Sequence, residues 1–293
     1  MEEKRYHFSK FCGLFGYPIK HTLSPLMHNI SFDYHEMDWV YLPFETKPKD
    51  LEKAVIGLKS IGVTGFNITM PFKEDIIKLL DEVDDEVEKM SAVNTVKNAN
   101  GKLIGYNTDH RGFFRTFENY KDDVKGESVI MFGAGGAAKA VLYSLLYRFE
   151  PEDILVLDVL EDKIDKMNAI IDSWCINKRV SFNIINRVSN FNEKIRNAKL
   201  IINASPVGMT PDVEKSVIED ENILHENHIV YDLVYNPIKT AILKMAEKRG
   251  AIAIGGLDML IYQGAEAFKI WTGKDMPVDI VREKTKLLLL KAV

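Results

Sequence analysis

Ser128–Phe132 is an apolar run that passes directly into Gly133-Ala134-Gly135-Gly136, and a helical pattern follows from about Ala137 to Arg148. No other segment limits the fold so strongly. A strand that turns through glycines into a helix opens a βαβ unit, and such units build parallel sheets covered by helices. Glycine allows the tight turn and lets the backbone approach a pyrophosphate, which then rests on the exposed N–H groups of the helix start. Ala138 stands where the usual fingerprint has its third glycine, and the fingerprint permits alanine. Two other readings compete: a tight turn with no ligand, and the glycine-rich site of a methyltransferase.

The same alternation runs through the chain. Before the glycine turn, strands are expected at residues 11–15, 40–44 and 63–69, and a helix at 113–120. Residues 92–97 and 102–106 flank Asn100-Gly101, a strong hairpin signal. Leu51, Ala54, Val55, Leu58 and Ile61 keep the spacing of an amphipathic helix. Ser24-Pro25 reads as a helix cap followed by proline in the first turn. The acidic run 81–88 reads as a solvated face. After the turn, strands are expected at 154–157, 180–185, 200–204, 229–234 and 251–254, with helices at 163–177, 258–271 and 279–291. The expected fold is α/β with two domains. One is a substrate domain with a mixed sheet, residues 1–112, completed by 258–293. The other, 113–257, is a Rossmann-type doubly wound parallel sheet for a dinucleotide.

Composition narrows the function. The 293 residues are 46% hydrophobic, with 38 Lys+Arg against 43 Asp+Glu, a net charge of −5. A net-negative chain has no general attraction for nucleic acid or anionic lipid, so neither is an expected partner. The two cysteines, Cys12 and Cys175, make no disulfide framework or zinc cluster, and no metal is expected. No apolar run reaches the roughly 18 residues of a membrane helix. The first residues lack the apolar stretch of a signal peptide. A cytoplasmic protein is expected.

Four groups of residues could carry chemistry. Asp158 ends the strand after the glycine turn; its carboxylate could accept both ribose hydroxyls of NAD, or cap the next helix. Thr22 and Ser24 put two hydroxyls at a helix start, where amides and the helix dipole favour a carboxylate ligand; simple capping by Ser24 is the alternative. Lys73 and Asp109 each follow a strand, where α/β sites gather. As a pair they could move a proton to or from an alcohol; singly, each reads as a solvated charge.

The segments HTLSPLMHN, NITMPFK, AVNT, GYNTD, GAGGAA, INASPVGM, DLVYNP and GGLDMLIYQGAEAF, in this order, resemble the shikimate dehydrogenase family from about Gly13 to Trp271. The end WTGKDMPVD is closer to the quinate/shikimate branch. The resemblance implies reversible reduction of 3-dehydroshikimate to shikimate by NAD or NADP, in chorismate biosynthesis, with quinate as a further candidate substrate. It implies a substrate domain, a Rossmann cofactor domain and a cleft between them. It assigns catalysis to Lys73 and Asp109. It assigns substrate binding to Thr22, Ser24, Thr69, Asn94, Asp109, Tyr235 and Gln263. It assigns cofactor binding to Gly133, Ala134, Gly135, Gly136 and Ala137, and to Leu233, Gly256 and Met259 around the nicotinamide. Three positions depart from the family: Thr22 replaces serine, His110 replaces the glycine after Asp109, and Asp158-Val159 replaces the Asn-Arg pair of NADP-preferring members. The last favours NAD, with Asp158 on the ribose. His110 reads as a surface loop residue against a catalytic one. Oligomeric state stays open, with a homodimer as candidate. The competing function is a non-catalytic ligand sensor on the same fold.

Overall fold

A computed structural model of the chain describes residues 8–20, 22–174, 179–186 and 188–291. His21, Cys175 and the end of the helix expected over 163–177 lie outside the described residues. The chain divides into two compact units, Met1–Gly112 with Ile261–Thr285, and Phe113–Leu260 with Lys286–Val293.

The first unit carries a mixed sheet. Its strands are β1 (Lys10–Gly16), β2 (Trp39–Glu45), β3 (Gly65–Ile68), β4 (Glu82–Val83), β5 (Thr95–Ala99) and β6 (Lys102–Tyr106), in the order β2-β1-β3-β5-β6-β4. β1 runs parallel to β2 and β3, while β5 runs antiparallel to β3 and β6. The β5–β6 hairpin turns on Asn100 and Gly101, at φ 55° and 90°. Two successive positive φ values match the right-handed twist of the strands, and Asn-Gly reaches them at least cost. One face of the sheet packs Phe15, Phe66, Ile68, Val96 and Leu103 against Leu51 and Val55 of the helix Leu51–Ser60. That helix ends one residue before Ile61, where Gly62 takes φ 77° and Val63 N–H returns to the Leu58 carbonyl.

The second unit carries an all-parallel sheet. Its strands are β7 (Ser128–Phe132), β8 (Asp153–Asp158), β9 (Val180–Ile184), β10 (Leu200–Asn203), β11 (Ile229–Asp232) and β12 (Ile252–Gly255), in the order β12-β11-β10-β7-β8-β9. The first strand lies at the centre, and the chain builds outward on one side and then the other. This is the doubly wound pattern expected from the alternation, with its switch of direction beside β7. Strands of such a sheet are covered on both faces and read as near-continuous apolar runs. Val129, Ile130, Met131 and Phe132 are all buried, as are Ile154 through Leu157.

Several local expectations change. The helix expected from residue 113 begins at Asp109, because the Asn107 side-chain oxygen accepts the Asp109 N–H at 3.0 Å and turns the chain four residues early. The helix after the glycine turn runs Gly136–Ser144 and then widens into a π turn over Leu145–Phe149. Ser24 does not cap its helix. It is the first helical residue of Ser24–Tyr34, and its own N–H donates to Thr22 Oγ1 at 3.3 Å. The acidic run is only partly a solvated face: Asp84 accepts the Val87 N–H, and Glu86 is paired with His110 and Arg111.

Candidate active site

In the first unit, Lys73 lies beyond β3 and Asp109 in the first turn of the helix Asp109–Phe117. The Lys73 carbonyl accepts the Val93 N–H at 2.8 Å, which ties its segment to the approach of β5. Lys73 Nζ donates to Asp109 Oδ2 at 2.5 Å, and the two side chains are only 17% and 11% exposed. Neither is a solvated surface charge.

Asn94 organises the surroundings of this pair. Its Nδ2 lies 2.8 Å from Asp109 Oδ1, 2.9 Å from Thr108 Oγ1 and 3.4 Å from Gln263 Oε1, and its Oδ1 accepts the Thr108 N–H at 2.7 Å. Four candidates thus share one network: Lys73, Asp109, Asn94 and Gln263. The network continues through residues the sequence reading did not single out. Asn67 donates to Thr95 Oγ1 at 3.0 Å and accepts from the Tyr41 hydroxyl at 2.7 Å. Tyr41 also hydrogen-bonds Ser24, and the Ser24 and Thr22 hydroxyls lie 3.3 Å apart. Asn67 and Thr108 stand inside NITMPFK and GYNTD, so the signal was present; nothing local distinguishes them from ordinary strand-end polar residues. Thr69 is half-buried, with its methyl against Gly16.

Unlike charges, these amides and hydroxyls can be buried when each finds a partner. Burial pushes the Tyr41 phenol well up and lowers His28, stacked on the Tyr41 ring at 4.4 Å, to about 3. Both are neutral near pH 7. The arrangement offers hydroxyl and amide partners to a polyol and one lysine–carboxylate pair to an alcohol proton.

His110 is not a surface loop residue. It sits in the same helix turn as Asp109, 1% exposed, with Nε2 2.9 Å from Glu86 Oε2.

In the second unit, Gly133 takes φ 104°, and a Cβ there would meet the backbone of Ala204 and Ser205 at 2.8–2.9 Å. Only glycine fits. Gly135 instead faces open space, and no side chain caps the helix start Gly136–Ser144. An uncapped helix start beside an open glycine suits a pyrophosphate, so the loop fits a dinucleotide. Asp158 Oδ2 accepts the Ala134 N–H at 2.8 Å and Oδ1 accepts the Leu160 N–H at 3.0 Å. The carboxylate therefore braces the glycine loop and turns the chain toward the next helix.

Leu233 and Gly256 are brought together: a Cβ on Gly256 would lie 2.0 Å from the Leu233 carbonyl oxygen. Met259 follows in the first turn of the helix Leu257–Thr272, buried. Tyr235 belongs to this second unit, half-buried, with its phenol pKa raised by burial, whereas the other substrate candidates belong to the first. A further cluster escaped the sequence reading. Asp232 accepts from Asn203 Nδ2 at 2.9 Å, Thr240 Oγ1 at 2.5 Å and Val234 N–H at 3.0 Å. Burial pushes Asp232 up to about 6 against these bonds. It joins the segments leaving β10 and β11, and Asn203 and Asp232 lie in the strings INASPVGM and DLVYNP. Among the described residues, no group of three acidic, His or Cys side chains could hold a metal ion, and no helix is long and apolar enough to cross a membrane.

Comparison with known proteins matches residues 14–96 to a shikimate dehydrogenase substrate binding domain and residues 256–285 to a shikimate 5′-dehydrogenase C-terminal domain. A shikimate dehydrogenase (NADP(+)) of Alkaliphilus metalliredigens is 41% identical over 285 residues, covering 96% of this chain and 98% of that one. Shikimate 5-dehydrogenase from Listeria monocytogenes, in complex with shikimate and NAD, superposes with a TM-score of 0.86 at 35% identity, covering 97% and 99% of the two chains. Quinate dehydrogenase from Corynebacterium glutamicum, in complex with NAD, gives 0.87 at 30% identity, covering 95% and 99%.

Proposed function

The chain belongs to the shikimate dehydrogenase family, and from that premise we propose that it interconverts shikimate and 3-dehydroshikimate, with Lys73 and Asp109 handling the alcohol proton. The reaction is that of an NAD(P)-dependent oxidoreductase acting on a CH–OH group, in chorismate and aromatic amino-acid biosynthesis. The carrying observation is the 2.5 Å contact of Lys73 Nζ with Asp109 Oδ2 inside a satisfied amide and hydroxyl network.

A nicotinamide dinucleotide supplies the hydride chemistry. The chain's own groups bind, orient and move the proton. Lys73 takes the hydroxyl proton during oxidation and returns it to the oxygen during reduction. Asp109 holds the lysine by one oxygen and is itself aimed by Asn94 through the other. Thr22 and Ser24 bind the substrate carboxylate; Thr69, Asn94 and Gln263 bind its hydroxyls, and Tyr235 contacts the substrate. A missing hydroxyl leaves such groups buried and unpaired, which discriminates by about 10⁴-fold or more. In this reading the first unit is the substrate domain. The second holds the dinucleotide on Gly133, Ala134, Gly135, Gly136 and Ala137, with Leu233, Gly256 and Met259 at the nicotinamide.

We take NAD to be preferred. Asp158 can still accept from a ribose hydroxyl through its remaining lone pairs, it repels a 2′-phosphate, and Val159, Leu160 and Glu161 add no positive charge. Quinate oxidation joins the reading through the C. glutamicum relative. A cytoplasmic location fits the buried free thiol of Cys12. A homodimer fits the exposed Leu42 on the edge strand β2. The test is steady-state kinetics on shikimate and quinate with each dinucleotide. Turnover of shikimate, with kcat/KM greater for NAD, is expected. Binding of shikimate without turnover overturns the enzyme reading in favour of a sensor; better turnover with NADP overturns only the role given to Asp158.

A further inference from the structure

We propose that Glu86 and His110 are positioning residues that fix the direction of the Asp109 carboxylate, through a hydrogen-bonded tie between two helix starts. The proposal rests on Lys73 and Asp109 being the proton-transfer pair of the reaction above.

Asp109, His110 and Arg111 are the first three residues of the helix Asp109–Phe117. The first turn of a helix lacks intrahelical partners for its N–H groups and frays unless something holds it. Here the backbone is held from below by Asn107 and Asn94, whose side-chain oxygens accept the Asp109 and Thr108 N–H groups. The side chains are held from beside. His110 Nε2 lies 2.9 Å from Glu86 Oε2, and on the same oxygen Arg111 places Nη2 at 2.6 Å and Nε at 3.2 Å.

Glu86 is itself fixed. It stands in the first turn of the helix Asp85–Met90, whose start is capped by Asp84 Oδ1 accepting the Val87 N–H at 2.8 Å. Arg111 also faces Asp84 at 3.7 Å. Burial alone would raise the Glu86 carboxyl, but the bonds from His110 and Arg111 outweigh it and hold it at about 2. The anchor is therefore anionic across the neutral range.

The consequence falls on the neighbour of His110 in sequence. Asp109 must present one oxygen to Lys73 and the other to Asn94 at once. A small rotation of the helix start would break one of these contacts. A glycine at position 110 would have no side chain to make the tie, which here comes from the His110 ring.

The experiment compares wild type with Lys73→Ala, Glu86→Gln, His110→Gly, His110→Gln and the double variant Glu86→Gln/His110→Gly. Shikimate oxidation is followed at saturating dinucleotide, with amide hydrogen exchange of residues 107–112 measured on the same proteins. Loss of turnover in Lys73→Ala upholds the proton-transfer pair; full turnover there sinks that reading and this proposal with it. With the pair upheld, Glu86→Gln and His110→Gly should lower kcat by about 10- to 100-fold, on the scale of a misplaced catalytic group. KM for shikimate should move less than about twofold, because the lost contact acts on the reacting geometry and not on uniform binding. His110→Gln, which keeps a donor, should recover most of kcat. The double variant should be no slower than the slower single one, since both remove one tie. Exchange at residues 107–112 should quicken in step with the loss of kcat. Wild-type kcat in a folded Glu86→Gln, even with a lowered melting temperature, overturns the proposal, as do independent losses that multiply in the double variant. If His110→Gly does not fold, the Glu86→Gln and His110→Gln pair decides the matter by the same criteria.

Discussion

Between the end of β3 and the start of the helix Asp109–Phe117, the first unit buries side-chain amides, hydroxyls and one lysine–carboxylate pair in a single network. At the ends of β7, β10 and β11 the second unit works differently. There the glycine loop offers bare backbone braced by Asp158, while Asp232 ties together the segments leaving β10 and β11. On the proposed function, one unit would recognise its ligand with side chains, the other with main chain shaped by side chains. The contrast follows from the ligands each suits. A small polyol is told apart by where its hydroxyls lie, which needs polar groups of fixed direction. A pyrophosphate is a charge of standard shape, which a helix start and a turn already match.

The sharpest way to break this contrast is Lys73→Ala. It should lower kcat by about 10²- to 10⁴-fold, with a smaller change in KM for shikimate. Steady-state assays check it, and near-wild-type turnover would show that the first unit's side chains do not carry the proton.

Asp232→Asn probes the second unit through pH. The folded state raises the Asp232 pKa from 3.8 to about 6, so it binds the proton more tightly than the unfolded chain does. That contribution to stability is complete below 3.8, falls as pH rises toward about 6, and is flat above. Wild type should therefore lose about 2–3 kcal/mol relative to the variant between these limits, at about 1.4 kcal/mol per unit of pKa. Denaturant titrations at pH 4 and pH 7.5 test this. Glu86 in the first unit has the opposite sign: it lies at about 2 against an ordinary 4.5, and stability is lost as pH falls through that window.

Gly133→Ala sharpens the claim about the main chain. A side chain at φ 104° whose Cβ meets the Ala204 backbone forces the loop to shift, a strain of about 1–3 kcal/mol. Dinucleotide affinity, read by fluorescence titration, should fall at least several-fold, while KM for shikimate at saturating dinucleotide holds. The smallest effect belongs to Trp271→Phe. Its Nε1–H donates to the Val96 carbonyl at 2.9 Å, and losing that bond should cost about 1 kcal/mol of stability without touching dinucleotide affinity.

The second unit was the more legible in sequence. Its central strands β7 and β8 are buried on both faces and bounded by glycine and aspartate, so the apolar runs mark β7 to the residue and β8 to within one residue at each end. The first unit was harder. Its antiparallel hairpin is readable from Asn100-Gly101, yet the helix starts at Asp109, four residues ahead of the expected 113, because the cap comes from the Asn107 side chain before any apolar periodicity begins. Long-range pairing lay deeper still. Lys73 and Asp109 are 36 positions apart, and Gln263 is 169 from Asn94. Nothing in the spacing joins them; the resemblance suggested the group and the fold brings four of its members to one network. Asn67, Tyr41, Thr95 and Thr108 stayed hidden for the same reason, as did the burial of His110, since a histidine among polar neighbours looks exposed until a second helix is laid beside it.

If Asp158 meets the ribose as proposed, the twofold employment of its carboxylate constrains how selectivity for the dinucleotide can evolve. Exchange for a residue with no side-chain oxygen withdraws the acceptor from two backbone amides, so on the proposed function a gain in tolerance for an extra phosphate would come with a slackened glycine loop. The next two positions are under no such obligation: Val159 is 67% exposed and Leu160 45%. A basic residue could appear at either one by drift, at little harm to folding, and would recruit the phosphorylated coenzyme from outside while the aspartate kept its mechanical duty.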